Sequence, residues 1–179
     1  MRMNASLGAR PRVGFLAGMV RRMKTLLAVL AMLLAVPVCA DEVDEKLDAV
    51  AMVHGDAGAW AVAGYRMGEH ALKTLGLKRG SFALAVEHQS PREVRYACIA
   101  DGAQAATGAS VGRLQLSFTE AKVEKMATVY SNRETKKSVK LRPTAAFMKK
   151  FMEVPREKAR LAGREAMTMV DAEVFETVP

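Results

Sequence analysis

The apolar positions of the chain alternate between two periods, and each change of period marks a change of element. In Asp41–Val53, Val43, Leu47, Val50 and Ala51 fall on one helical stripe. Acidic residues crowd the first turns of this segment, where the helix dipole favours them. A first helix is predicted there, broken by His54-Gly55-Asp56-Ala57-Gly58. Ala59–Leu75 resumes the helical period and is closed by Gly76. Its small residues include Ala61, Gly64, Gly68 and Ala71. Each glycine inside a helix costs about 0.8–1 kcal/mol relative to alanine, so two of them predict a helix packed very closely on a neighbour.

Lys78-Arg79-Gly80 reads as a turn, Phe82–Glu87 as a strand and His88–Pro91 as a loop. Glu93–Thr107 returns to the helical period, and Gly108 supplies its left-handed end. A second strand is predicted over Leu114–Phe118, with Leu114, Leu116 and Phe118 on one side. Lys125–Tyr130 and Ser138–Leu141 pair as a hairpin around Asn132–Lys136. Thr144 caps a short helix reaching Met152, and Pro155–Met167 begins a last helix with proline in its first turn. Val170–Val178 is a final strand or a tail. The mixture predicts an α+β fold, a single domain with helices packed on a small, mostly antiparallel sheet.

The beginning of the chain belongs to a different class of segment. Arg2, Arg10, Arg12, Arg21, Arg22 and Lys24 form a basic region, Thr25–Val36 is apolar, and Val38-Cys39-Ala40 precedes Asp41. That order is a secretory signal, with Met23 as an alternative start. Residues 1–40 are therefore expected to be a signal peptide, and residues 41–179 the folded domain. Lipidation at Cys39 and an uncleaved anchor remain open alternatives. Cleavage predicts a periplasmic or secreted protein with no stable membrane span. It also changes the charge. The whole chain has 27 Lys and Arg against 19 Asp and Glu, a net charge of +8. The leader holds six of the basic residues and no acidic ones, which leaves 21 against 19, or +2. Nucleic-acid binding loses its main support. With Cys39 removed, Cys98 is the only thiol, so no intramolecular disulfide can form.

Cys98 sits in ACIADGAQAATGASVGRLQLSF, with Asp101 and Gly102 on its own helical face. This stretch resembles the core segment of the FmdE family, named after a component of formylmethanofuran dehydrogenase. That segment typically reads C-x-x-D-A-I-Q-x-x-T-G-C-T-x-G-K-G-N-L. Cys98, Asp101, Gln104, Thr107, Gly108, Gly112 and Leu116 fall on it. His54-Gly55 with Gly64-Tyr65-Arg66-Met67-Gly68 resembles the family's H-G-H-x-C-P-G-x-x-x-G-Y-R-x-G, and Tyr130–Thr135 resembles its Y-N-R-x-T-G-K hairpin. The resemblance covers roughly residues 54–141. It implies a zinc-associated core with a groove around the family's His and Cys residues. His54 and Cys98 carry over. Asp56 stands at the family's second His, Gly58 at its first Cys and Ala109 at another Cys. No C-x-x-C occurs, so the C-terminal zinc ribbon of many members is absent.

Three chemistries compete at this segment. A reduced metal site would use His54, Cys98 and a carboxylate from Asp56 or Asp101, and zinc suits that mixed set. A thiol nucleophile would use Cys98 activated by His54 or His88. A polar pocket would draw on Arg66 and Gln104 for a small ligand. The plain alternatives are a Cys98 that is only packing and an Arg66 paired with a structural carboxylate. His70, beside Glu69 in the second helix, is expected to face solvent. Lys136-Lys137 and Lys149-Lys150 read as solvated faces, and Met126, Met148, Met152, Met167 and Met169 as core filler. The leading expectation is an exported FmdE-like protein binding a metal ion or small ligand around His54 and Cys98. A Cys- or metal-dependent hydrolytic or redox enzyme is the first rival. A non-catalytic accessory protein with a vestigial site is the second. A monomer and a homodimer are both open.

The leader generates the first prediction. Intact-mass measurement of the exported product should give a mature N-terminus at Asp41. A product that keeps Thr25–Val36, or that carries lipid on Cys39, overturns it.

Overall fold

In the computed structural model, residues 37–179 are described, and residues 41–179 form one compact unit. The apolar run of the leader lies outside the described residues. Six α-helices and five strands follow in the order α1 (Pro37–His54), α2 (Ala59–Leu75), β1 (Leu84–Ser90), α3 (Val94–Thr107), β2 (Leu116–Glu120), β3 (Ala127–Asn132), β4 (Ser138–Pro143), α4 (Ala145–Lys150), α5 (Ala159–Thr168), α6 (Asp171–Val174) and β5 (Phe175–Thr177). The strands make one sheet in the order β2-β1-β3-β4-β5. The β1–β2 pair is parallel, with Val86 opposite Leu116, and all other pairs are antiparallel. The parallel pair follows from chain length, because α3 carries the chain back to the start of the sheet between β1 and β2. The fold is the expected α+β arrangement.

Strand β1 alternates strictly, with Leu84, Val86, His88 and Ser90 buried. Period two in the burial is what a strand covered on one face must show. The helices α2 and α3 provide that cover, α2 over β3 and β4 and α3 over β1 and β2. The two helices also meet each other more closely than any other pair. A β-carbon on Gly64 would stand 2.0 Å from the carbonyl oxygen of Ile99, and one on Gly102 would stand 1.7 Å from that of Ala61. A β-carbon on Gly68 would lie 2.8 Å from that of Ala106. The close packing expected of the second helix is therefore present, and its partner is the Cys98 helix.

The turn Lys78–Gly80 locks the far end of α3. Gly108 ends that helix in the left-handed region, at φ 72°, and its N–H donates to the Gln104 carbonyl. Gly80 N–H donates to the Thr107 carbonyl, and the Arg79 guanidinium to the Ala105 carbonyl. The last carbonyls of α3 thus find donors in the neighbouring turn.

Three local expectations need correction. His88–Ser90 is not loop, because β1 runs on through these residues and its alternation buries His88 and Ser90. Leu114 is not in the second strand. The 3₁₀ turn Val111–Arg113 closes on it, its φ is 53°, and its side chain is 82% exposed. The strand starts at Leu116, the one fully inward residue of β2. His70 does not simply face solvent. Its ring packs edge-on against Phe175, with centroids 5.1 Å apart, and Nδ1 lies 3.9 Å from Asp171. The final segment also resolves into a turn of helix, α6, and then the short edge strand β5.

The glycine contacts set the second prediction. Gly64→Leu and Gly102→Ala should each destabilise the domain by more than ~2 kcal/mol through overpacking against a backbone carbonyl. Chemical denaturation measures this, and a wild-type midpoint in either variant would show that the helices are not locked.

Candidate functional site

His54 ends α1, and the short loop after it turns the chain into α2. Because α2 is pressed onto α3, that loop brings the His54 ring across to Asp101 on α3. Nδ1 of His54 and Oδ2 of Asp101 are 2.8 Å apart. A carboxylate oxygen only accepts, so Nδ1 carries the hydrogen and donates it. Nε2 has no hydrogen-bond partner among the described residues. In the neutral ring that nitrogen presents a lone pair.

The dyad borders a cavity of about 340 Å³. His54, Cys98, Asp101 and Gln104 supply its chemistry, and Val94, Leu116 and Phe118 are among its apolar walls. A second cavity of about 450 Å³ lies on the other side of Cys98. Trp60, Phe151, Met152 and Val154 line it, with Gly58 and Arg95. Trp60 is held by its indole N–H donating to the Phe151 carbonyl at 3.0 Å. It also packs edge-on against Tyr96 and Phe147.

Cys98 is buried, and its Sγ lies 3.0 Å from the Arg95 carbonyl, to which the thiol donates. Burial pushes the thiol up to about 12, and the nearby negative charge of Asp101 adds to the rise. A thiol held in this way is a poor nucleophile at neutral pH. Among the described residues no histidine is hydrogen-bonded to it. His88 is remote from such a role. Its Nε2–H donates to the Tyr96 carbonyl at 3.0 Å, and its Nδ1 accepts from the Thr128 hydroxyl at 2.8 Å. Both ring nitrogens are spent inside the core, and burial lowers the ring to about 4.

The other sequence candidates divide. Gln104 does reach the His54 cavity. Arg66 does not. Its guanidinium donates to the carbonyls of Ala166 and Met169 and to the Asp171 carboxylate, so it ties α2 to the C-terminal segment. Asp56 is exposed and its Oδ1 accepts from the adjacent Ala57 N–H at 2.7 Å, away from the cavity lining. Ala109 is buried in the core. Sequence reasoning missed Ser117 and Phe118 of β2 as part of the lining of the His54 cavity. The strand period, continued two residues past Leu116, reaches Phe118 but not the intervening Ser117, for which the sequence carries no signal.

A catalytic zinc takes three protein ligands. Among the described residues no three His, Cys, Asp or Glu side chains come together to hold a metal ion. Asp101 is engaged in orienting His54, Asp56 is turned away, and Gly58 and Ala109 offer no donor. The donor set therefore does not fit a zinc held by protein ligands alone.

A family model matches residues 53–176, and its description is FmdE, molybdenum formylmethanofuran dehydrogenase operon. The chain belongs to the FmdE family. The match runs past the hairpin and takes in α4, α5, α6 and most of β5, beyond the segment that carries the motifs. No curated protein matches the chain. His54 and Asp101, which the resemblance aligns with the FmdE motifs, are joined by a side-chain hydrogen bond. Among the described residues no helix is long and apolar enough to cross a membrane.

His88 yields the third prediction. Its ring is neutral in the fold, so the associated stability is complete above about pH 6.5, where the unfolded ring is also neutral. Stability should fall as pH drops from 6.5 towards 4, by about 3 kcal/mol in all from this residue. Folding free energies measured across that range for wild type and His88→Gln check it. An equally steep acid loss in the variant would remove His88 as the cause.

Proposed function

We propose that this FmdE-family chain is an exported protein that binds a small organic ligand in the groove around His54 and Cys98. One observation supports the reading above all others. The His54–Asp101 dyad sits at a cavity of a size that small-molecule sites commonly have, with Nε2 lacking a partner among the described residues. Asp101 sets the ring's orientation and tautomer, as a carboxylate does for a histidine with work to do on its other nitrogen. Gln104 adds one amide donor pair and one acceptor. Cys98 contributes a neutral, compact wall. Export is supported by the order of basic, apolar and small residues in the leader.

Zinc is a distinct outcome of the same experiment. Mature protein labelled for NMR is screened with a library of small neutral polar fragments, and separately with zinc. Fragments that shift the His54 and Gln104 resonances, and that bind at least tenfold more weakly to His54→Ala, support the reading. Fragment shifts that survive unchanged in His54→Ala overturn it. Near-stoichiometric zinc that is lost in both His54→Ala and Cys98→Ser would replace it with a metal site.

A further inference from the structure

Cys98 and Val94 belong to the walls of both cavities. They lie four residues apart on α3, one turn above the other on the same face. Asp101 and Gln104 continue along the helix, so one side of α3 runs past both chambers. From Val94 to Gln104 that is a path of about 15 Å, at 1.5 Å per residue. The two ends differ in chemistry. Hydrogen-bonding side chains, His54, Asp101 and Gln104, gather at one end. Trp60, Phe151 and Met152 gather at the other.

Resting on the small-ligand reading above, we infer that the two chambers are one bipartite site for an elongated amphipathic molecule. Its head is a neutral hydrogen-bonding group, an amide or alcohol, placed at His54, Asp101 and Gln104. Its aliphatic body passes over Val94 and Cys98 and lies against Trp60, Phe151 and Met152. The Asp101 carboxylate disfavours an anionic head, and the amide of Gln104 matches a neutral one. At the far end Arg95 is already engaged. It donates to the Met152 carbonyl and stands 3.7 Å from Glu93, so no lone charge there calls for a charged tail. Val94 is 80% exposed at the sill between the chambers, which leaves the passage open to a chain entering from solvent.

Trp60 is the only tryptophan in the chain, so its emission reports on one chamber alone. Octanamide and acetamide serve as long and short probes with the same head. Octanamide should change Trp60 emission and the His54 ring resonances with a single Kd, and should bind at least tenfold more weakly to His54→Ala and to Val154→Asp. Gly58→Val guards against a misfolded Val154 variant. A β-carbon on Gly58 meets only that of Ala159, at 3.9 Å, so the backbone accepts a side chain that fills the chamber. It too should weaken octanamide tenfold, and it should leave the acetamide effect on His54 unchanged. Octanamide that shifts Trp60 but binds His54→Ala as tightly as wild type overturns the inference, since the apolar chamber then acts alone. Acetamide shifting His54 while octanamide leaves Trp60 untouched also overturns it, and leaves the small-ligand reading standing. No response to either probe overturns both.

Discussion

The backbone contact between α2 and α3 is the constraint from which the rest of the molecule follows. Gly64 faces the Ile99 carbonyl, Gly102 faces that of Ala61, and no side chain fits between them. Two helices joined at that range cannot slide without a carbonyl meeting a neighbour's backbone. The position of Asp101 relative to the start of α2 is therefore set to within the play of close packing. His54 stands only five residues before Ala59, and so it inherits that position. A hydrogen bond of 2.8 Å between residues 47 apart in sequence is a consequence of glycine contacts that include Gly102, the residue directly after Asp101. The same contact presses Cys98 into its buried place, where loss of water and the charge of Asp101 keep it protonated.

The three histidines show how position decides role. His88 is on the inward face of β1, and both its nitrogens are consumed by Thr128 and Tyr96. His70 leans on Phe175 at the edge of the sheet. Only His54 combines an orienting carboxylate with a nitrogen that has no partner among the described residues, and it borders the cavity beside Cys98. A sequence alone puts these three on equal terms, since burial and partners arise from the sheet register and not from neighbouring residues.

What is legible in the sequence is what repeats or punctuates. The bounds of α2 and its end at Gly76, the end of α3 at Gly108, the cap at Thr144 and the hairpin around Asn132 all follow from local chemistry. Leu114 escapes that logic because the family pattern has Gly there while this chain has Leu, and an apolar residue before Gln115-Leu116 mimics a strand. A left-handed leucine costs roughly 1–2 kcal/mol, a strain no local rule would anticipate. For Arg66 the plain alternative of a structural carboxylate holds, but which carboxylate is not legible. Its partners, Ala166, Met169 and Asp171, lie about a hundred residues away, and only tertiary packing brings them to it. Of the candidate site, His54, Cys98, Asp101 and Gln104 are legible through the motif, whereas the facing β2 residues and the second chamber are not.

The departures from the family pattern have a physical consequence beyond the loss of donors. Gly58 stands where the pattern has Cys, and it shares the larger cavity with Cys98. Its backbone is extended at φ −70° and ψ 160°, a conformation any residue accepts, and its nearest obstacle is the Ala159 β-carbon. Nothing in the local geometry demands glycine there. This separates Gly58 from Gly64 and Gly102, whose lack of a side chain is enforced by a facing carbonyl. At Gly58 the missing side chain leaves space instead, beside a tryptophan and a thiol that remains neutral. A pair of cysteines at 58 and 98 would bring two sulfur donors to one chamber. With one of them replaced by glycine, the same chamber keeps a single sulfur, and the rest of its lining is mostly apolar beside the paired Arg95 and Glu93.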